Sequence, residues 1–205
     1  MYRAIQLVLI IVVLLLTIPG EVAAEYTEKQ IGTAIHKAMA ANDLKAAKEL
    51  TDFYRNNFSP EPPTTDQYAQ ALKAYQNEAY ITARALWEPI AQRGDALGQY
   101  YLGLMYTNGS GVLKNYKIAV QWHTLAAEQG LSFSQTKLGT AYLIGTGIPR
   151  DYIYAHMWLN LGIANGDEGD ALKTMGITER VMTPSQIAEA QKLARECVAK
   201  NYKGC

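Results

Sequence analysis

Histidine and cysteine are the residue types in this chain that most often bind metals or transfer protons. The histidines are His36, His123 and His156, and they show no metal-like spacing to one another or to the cysteines. We expect each histidine to lie half-exposed on a helix. The cysteines, Cys197 and Cys205, both lie well after the last histidine, in the C-terminal part of the sequence. The sequence therefore predicts neither a metal site nor a cofactor.

Two short glycine-containing segments superficially resemble phosphate-binding loops. They are Gly109–Gly111 and Gly145–Gly147. Neither follows a predicted strand, and neither carries the further glycine and lysine of a phosphate loop. We interpret both as turns between helices.

The sequence offers no arrangement of nucleophile and base. No serine has the context of a catalytic nucleophile. Carboxylates are abundant, but no two are singled out as an acid–base pair, and we expect those in loops to be solvated. We therefore predict that the protein is not an enzyme. The carboxylates considered are Asp52, Glu88, Asp167, Glu168 and Asp170.

A segment of 36 residues is repeated without a gap in the middle of the chain. Residues 95–130 and 131–166 are identical at 11 positions, where random sequences would match at roughly two. A fixed period in the range of about 20–50 residues is typical of solenoid proteins. The identical pairs are Gln99/Gln135, Leu102/Leu138, Gly103/Gly139, Tyr106/Tyr142, Gly109/Gly145, Gly111/Gly147, Tyr116/Tyr152, Ala119/Ala155, Trp122/Trp158, Leu125/Leu161 and Gly130/Gly166.

Each repeat is predicted to be a pair of helices. In the first repeat, the glycines of Asn108–Gly111 would end the first helix, and Asn115 would cap the second. The second helix would place Ala119, Trp122 and Ala126 on one buried face. One such hairpin cannot bury its own apolar face, so it must stack on the next.

These segments resemble the Sel1-like repeat, a relative of the tetratricopeptide repeat. The residues that carry the resemblance are LGLMYTNGSGVLKNYKIAVQWHTLAAEQG and LGTAYLIGTGIPRDYIYAHMWLNLGIANG. The resemblance covers 95–166 fully and 66–94 more loosely. It implies an all-α fold, an α-solenoid of stacked antiparallel helix pairs, which binds a protein or peptide.

The first 24 residues differ from the rest. Arg3 precedes the apolar run Ile5–Ile18, and Val22–Ala24 supplies the small residues that a signal peptidase prefers. The apolar run is shorter than the roughly 20 residues of a membrane span. We interpret residues 1–24 as a signal peptide, with an uncleaved anchor as the alternative.

The remaining segments are predicted to flank the repeats. Residues 25–58 read as an N-terminal helical hairpin, and 59–65 as a proline-rich connector. Residues 66–94 read as a degenerate tetratricopeptide-like repeat in which Leu86 takes the place of the tryptophan. Residues 167–205 read as C-terminal capping helices that cover the apolar end of the stack.

The C-terminal segment carries its own signals. Thr183 is a candidate N-cap, with Pro184 at the first helical position. In an exported protein, Cys197 and Cys205 would most simply form a disulfide that holds Asn201–Gly204 against the last helix. Two free thiols are the alternative. Together with residues 1–24, this predicts a protein of the bacterial periplasm or a secreted protein.

Positions that differ between the two repeats are candidate partner contacts. In solenoids of this type the first helices line the concave surface, and the candidates lie on the side of the first helix away from Leu102 and Tyr106. Packing of Leu97 and Leu104 against an adjoining helix is the alternative. The candidates are Leu97, Tyr101 and Leu104, with their counterparts Phe133, Lys137 and Thr140.

These observations favour a non-catalytic scaffold of the cell envelope. Nucleic acid is not expected as a partner, because 19 basic residues balance 19 acidic ones without a basic cluster. Membrane contact is expected only through the N-terminal segment, if that segment is retained as an anchor of an assembly module. An enzyme acting on a cell-wall or β-lactam substrate is a further alternative, because some cysteine-rich relatives are linked to β-lactams. Those relatives have a disulfide in every repeat, which is missing here.

Overall fold

The structure, a computed structural model, describes Lys45, Lys48, Glu49 and residues 63–205. Predictions for residues 1–24, for most of 25–62, and for His36 and Asp52 lie outside the described residues. Within the described part the chain is helical and contains no strand, which confirms the all-α prediction. None of the described helices is long and apolar enough to cross a membrane.

Eight helices follow one another over residues 65–199, and the first six form three hairpins. Each hairpin packs on the next, because α2 contacts α3 and α4 contacts α5. Helices α7 and α8 both pack against α6, so they cover the end of the stack. The helices are α1 (Thr65–Gln76), α2 (Tyr80–Gln92), α3 (Ala96–Asn108), α4 (Tyr116–Ala127), α5 (Ser132–Ile144), α6 (Tyr152–Ala164), α7 (Asp170–Glu179) and α8 (Pro184–Ala199).

Local sequence signals set the helix boundaries. Asn115 accepts a hydrogen bond from the backbone N–H of Ile118, so it caps α4 as predicted. Thr183 forms a capping box with Gln186 and is followed by Pro184 at the first position of α8, also as predicted. Gly109 and Gly145 end α3 and α5 in the left-handed conformation, with φ of 79° and 82°.

The tryptophans fill the core between hairpins. Trp122 and Trp158 are 0 % and 2 % exposed, as expected for equivalent positions of the repeat. The prediction for Leu86 needs correction, because Leu86 is only half-buried whereas Trp87, one residue later, is fully buried. Positions three and four residues after Ala83 lie on the same helical face, so a tryptophan at either one can enter the core.

Buried amides connect successive hairpins. The side chain of Gln135, which is 0 % exposed, donates a hydrogen bond of 3.2 Å to the carbonyl oxygen of Ala127. Its amide oxygen accepts a hydrogen bond of 2.9 Å from the side chain of Asn165. Gln99 makes the same two kinds of contact one repeat earlier. A buried amide side chain that lacks hydrogen-bond partners destabilises the folded state. These hydrogen bonds therefore favour one relative position of each hairpin on the next.

The C-terminal segment folds back over the second helices. Cys197 and Cys205 form a disulfide in the structure. The hydroxyl of Tyr202 donates to the side chain of Asn165 at 3.1 Å, and the backbone N–H of Gly204 donates to Glu128 at 3.1 Å. The other carboxylate oxygen of Glu128 accepts from Nζ of Lys48 at 2.9 Å, so one carboxylate joins both ends of the described chain.

Candidate partner-binding face

The first helices of successive hairpins lie side by side. The rings of Tyr75 on α1 and Tyr101 on α3 are 5.2 Å apart, and those of Tyr100 on α3 and Phe133 on α5 are 5.9 Å apart. On the far side, α5 and α7 are joined by an ion pair. We call the surface that these helices share the first-helix face. Its residues are Leu97, Tyr100, Tyr101, Leu104, Phe133, Lys137, Thr140 and Asp170.

Two large apolar side chains of this face are open to solvent. Leu97 on α3 is 36 % exposed, and Phe133, its counterpart one repeat later on α5, is 49 % exposed. Tyr100, which lies on α3 like Leu97, contacts the ring of Phe133 on α5. An exposed phenylalanine flanked by a second aromatic ring is the kind of surface that protein partners bury.

Three of the predicted contact residues are engaged within the protein. Tyr101 is half-buried and stacks on Trp87, with ring centroids 4.3 Å apart and planes 10° apart. Burial raises the pKa of its hydroxyl. Leu104 is also half-buried. The hydroxyl of Thr140 donates to the carbonyl oxygen of Thr136 at 2.8 Å, so these three side chains present less surface than Leu97 and Phe133.

The first-helix face also carries charged side chains, of which Lys137 is the basic one. Its Nζ lies 3.7 Å from the carboxylate of Asp170, and the two side chains are 35 % and 74 % exposed. An exposed pair at this distance contributes little to stability. Both charges therefore stay accessible to a partner beside the ring of Phe133.

Sequence reasoning missed Tyr100 and Asp170 as members of this face. Burial is the main cause that raises the pKa of Tyr100 to about 12, with Tyr101 and the carboxylates of Asp167 and Asp170 adding to it. Tyr100 was overlooked because the candidates on α3 were chosen at the helical spacing of Leu97, Tyr101 and Leu104, which passes over position 100.

The expectation that the histidines are half-exposed is wrong for the two that the structure describes. His123 is 4 % exposed and His156 is 1 % exposed. His123 lies flat against Gly103, and burial together with the charge of Lys137 lowers its pKa to about 3. Nε2 of His156 lies 3.3 Å from Glu179. The expectation failed because the second helices pack against neighbours on more than one side.

The buried ring of His123 predicts a loss of stability in acid. An unfolded histidine has a pKa near 6.5, so between pH 6.5 and about 3 the unfolded state binds the proton first. Above pH 6.5 this effect is absent. We expect it to account for roughly 2–3 kcal/mol of unfolding free energy between pH 7 and pH 4.5. Urea unfolding of wild type and His123→Leu at both pH values measures it.

Leucine is the appropriate replacement because Leu159 occupies the equivalent position and packs against Gly139. The variant should lose less stability on acidification than the wild type. Equal losses in the two proteins would show that the ring of His123 is hydrated or charged in the folded state.

The described residues do not suggest a reaction centre on this face. No cluster of three or more metal-binding side chains occurs among them. Asp167, which was expected to be solvated, is only 6 % exposed, because it lies in the tight connection between α6 and α7. A groove of about 660 Å³ lies elsewhere, between α4 and the turn that contains Gly147 and Pro149.

Comparison with known proteins agrees with the repeat. A sequence model of the Sel1 repeat matches residues 96–131 and 132–167, one residue later than the boundaries predicted above. No curated protein sequence matches the chain.

Solved structures share the fold. One is a protective antigen of uropathogenic Escherichia coli that displays an SLR fold, with a TM-score of 0.63 and 22 % identity over 86 % of this chain and 43 % of that one. A second is a Sel1 repeat protein from Oxalobacter formigenes, with a TM-score of 0.53 and 28 % identity over 67 % of this chain and 55 % of that one. The chain thus spans about half the length of these proteins. It is a helical repeat protein that contains two Sel1 repeats and has the fold of solved Sel1-like repeat structures.

Proposed function

We propose that the protein is a non-catalytic scaffold of the cell envelope that binds a protein or peptide along the first-helix face. Sel1 repeats typically mediate contacts between proteins, which supports the general class. The observation that carries the choice of face is Phe133, which is 49 % exposed while its ring contacts that of Tyr100 on the preceding first helix.

The chemistry of the face indicates what the partner offers. Leu97 on α3 and Phe133 on α5 would contact apolar side chains of the partner. These two helices are the first helices of consecutive hairpins. Lys137 and Asp170 would bind groups of opposite charge at the side of this apolar patch. We infer that the partner is a segment with apolar side chains followed by a polar or charged one, lying across α3, α5 and α7 on the concave side of the stack.

Export to the bacterial periplasm or beyond is part of this proposal. The apolar run Ile5–Ile18 and the small residues Val22–Ala24 have the composition of a signal segment. The disulfide between Cys197 and Cys205 supports an oxidising compartment, because such bonds are rare in reducing cytosol. Retention of residues 1–24 would make the same scaffold membrane-anchored, and the mass of the mature protein distinguishes the two forms.

Crosslinking in cells tests the proposed face. A photo-crosslinking amino acid placed at Phe133 or Lys137 should trap a saturable partner that mass spectrometry can identify. Val198 on α8 is the matched control, because it is also 49 % exposed but lies on a capping helix. Trapping of the same species from 133 and 198, or of none from 133, would contradict the proposal.

A further inference from the structure

The turns that join first helices to second helices lie beside one another along one edge of the stack. Gly111 lies against the backbone of Tyr80, and Gly147 lies against the backbone of Tyr116. Each turn therefore adjoins the start of the second helix in the hairpin before it. We call this surface the turn edge. Its residues are Ile81, Leu113, Lys114, Tyr116, Lys117, Ile144, Arg150 and Tyr152.

The turn edge exposes aliphatic side chains to an unusual extent. Leu113 is 91 % exposed, Ile81 is 80 % exposed and Ile144 is 64 % exposed. A single exposed leucine is ordinary on a protein surface. Here the exposed residues come from three successive hairpins and lie on the same edge of the stack, so they can contact the same apolar layer.

Cations accompany these aliphatic residues at a regular interval. Nζ of Lys114 lies 5.6 Å from the ring centre of Tyr116, and the guanidinium of Arg150 lies 5.5 Å from that of Tyr152, one repeat later. In both pairs the charged group lies over the face of the ring, within the distance of a cation–π contact. Lys117 adds a third cation to this edge, in the first turn of α4.

Acidic residues offset part of this charge, because Glu78 and Asp151 lie in the same turns. The carboxylate of Asp151 accepts hydrogen bonds from the backbone N–H groups of Ile153 and Tyr154 and so caps the start of α6, but it keeps its negative charge. With three cations against two carboxylates, the exposed aliphatic residues are accompanied by an excess of one positive charge.

We propose that the turn edge rests on an anionic lipid bilayer, with Leu113, Ile81 and Ile144 entering the interface. Lys114, Lys117 and Arg150 would lie at the level of the phosphate groups, where each basic residue adds to the attraction. This contact goes beyond the proposed function, because it uses the turn edge rather than the first-helix face. It also does not depend on whether residues 1–24 are retained.

Tryptophan fluorescence on the full chain can report the contact locally. The native tryptophans, Trp87, Trp122 and Trp158, are at most 2 % exposed and give a constant background. A fourth is introduced by Leu113→Trp, or by Val198→Trp as the control on α8. Vesicles contain phosphatidylcholine with or without phosphatidylglycerol, and part of the lipid carries brominated acyl chains that quench nearby indoles.

We expect quenching of the new tryptophan at 113 and not of that at 198, and only when phosphatidylglycerol is present. Adding Lys114→Glu and Arg150→Glu to Leu113→Trp should weaken its vesicle affinity by at least about tenfold. Equal quenching at 113 and 198, or none at 113, would overturn the proposal. The proposal would also be overturned if a soluble protein bound at position 113 while the brominated lipid did not quench the tryptophan there. The turn edge would then be a binding site for a protein. Crosslinking from Phe133 is independent of every one of these outcomes.

Discussion

Replacement of Trp122 by alanine should lower the free energy of unfolding by about 3–5 kcal/mol. The side chain is 0 % exposed and belongs to the core formed by α1 to α4, together with Trp87 and Leu102. Removal of a large aromatic side chain there loses its apolar burial and leaves a cavity that the neighbouring helices cannot fill by themselves. Urea unfolding followed by circular dichroism measures the difference.

The matched control is Leu113→Ala. Leu113 is 91 % exposed, so its truncation should change the unfolding free energy by less than about 0.5 kcal/mol. A loss of less than about 1 kcal/mol for Trp122→Ala, outside the range for a core aromatic, would show that Trp122 does not lie between the hairpins. The assignment of the repeat frame would then be wrong.

Replacement of Gly147 by alanine should be the second most damaging of the changes considered. Gly147 has φ of +77°, and a Cβ there would collide with the carbonyl group of Tyr116. Left-handed conformation alone costs alanine about 1–2 kcal/mol, and the collision should add about 1–3 kcal/mol as the turn moves away from α4. The same unfolding experiment measures the sum.

Gly109 separates the two causes. Its φ of +79° is nearly the same, but a Cβ there would meet Lys114 only at an ordinary contact distance of 3.4 Å. Gly109→Ala should therefore show the conformational cost without the collision. Equal losses for the two variants would mean that the turn of one hairpin does not press on the next, contrary to the stacking described here.

Much of the fold could be predicted because similar helix-boundary residues occur in both repeats. Asn115, Thr183 and the glycine turns lie where the sequence placed them, since caps and left-handed glycines depend on local chemistry. The pairing of Cys197 with Cys205 is also present in the structure, where it closes a separation of eight residues.

The sequence was less informative about which side chains are buried. Trp87 was missed because the repeat was aligned at 36 residues, and this alignment placed Leu86 opposite Trp122. His123 was expected to be half-exposed and Asp167 to be solvated, but both are buried, His123 on α4 and Asp167 in the connection between α6 and α7. A period identifies equivalent positions, whereas burial also depends on the side chains that the neighbouring helices contribute.

For the first-helix face, too, the position of residues on helices could be predicted, but the contacts between their side chains could not. The sequence placed Leu97, Phe133 and Lys137 on the first helices, and the structure leaves all three accessible to some degree. It could not show that Tyr101 stacks on Trp87, or that Tyr100 joins α3 to α5, because both contacts connect side chains from different helices. Their use in partner binding stays a prediction.

Binding of the trapped partner segment to purified protein tests the central claim most directly. The dissociation constant for a synthetic peptide of that segment is measured with wild type, with Phe133→Asp and with Val198→Asp. We predict that Phe133→Asp weakens binding by at least about tenfold, as for a buried aromatic contact, while Val198→Asp leaves it unchanged. Equal affinity of all three proteins would contradict the assignment of function to the first-helix face.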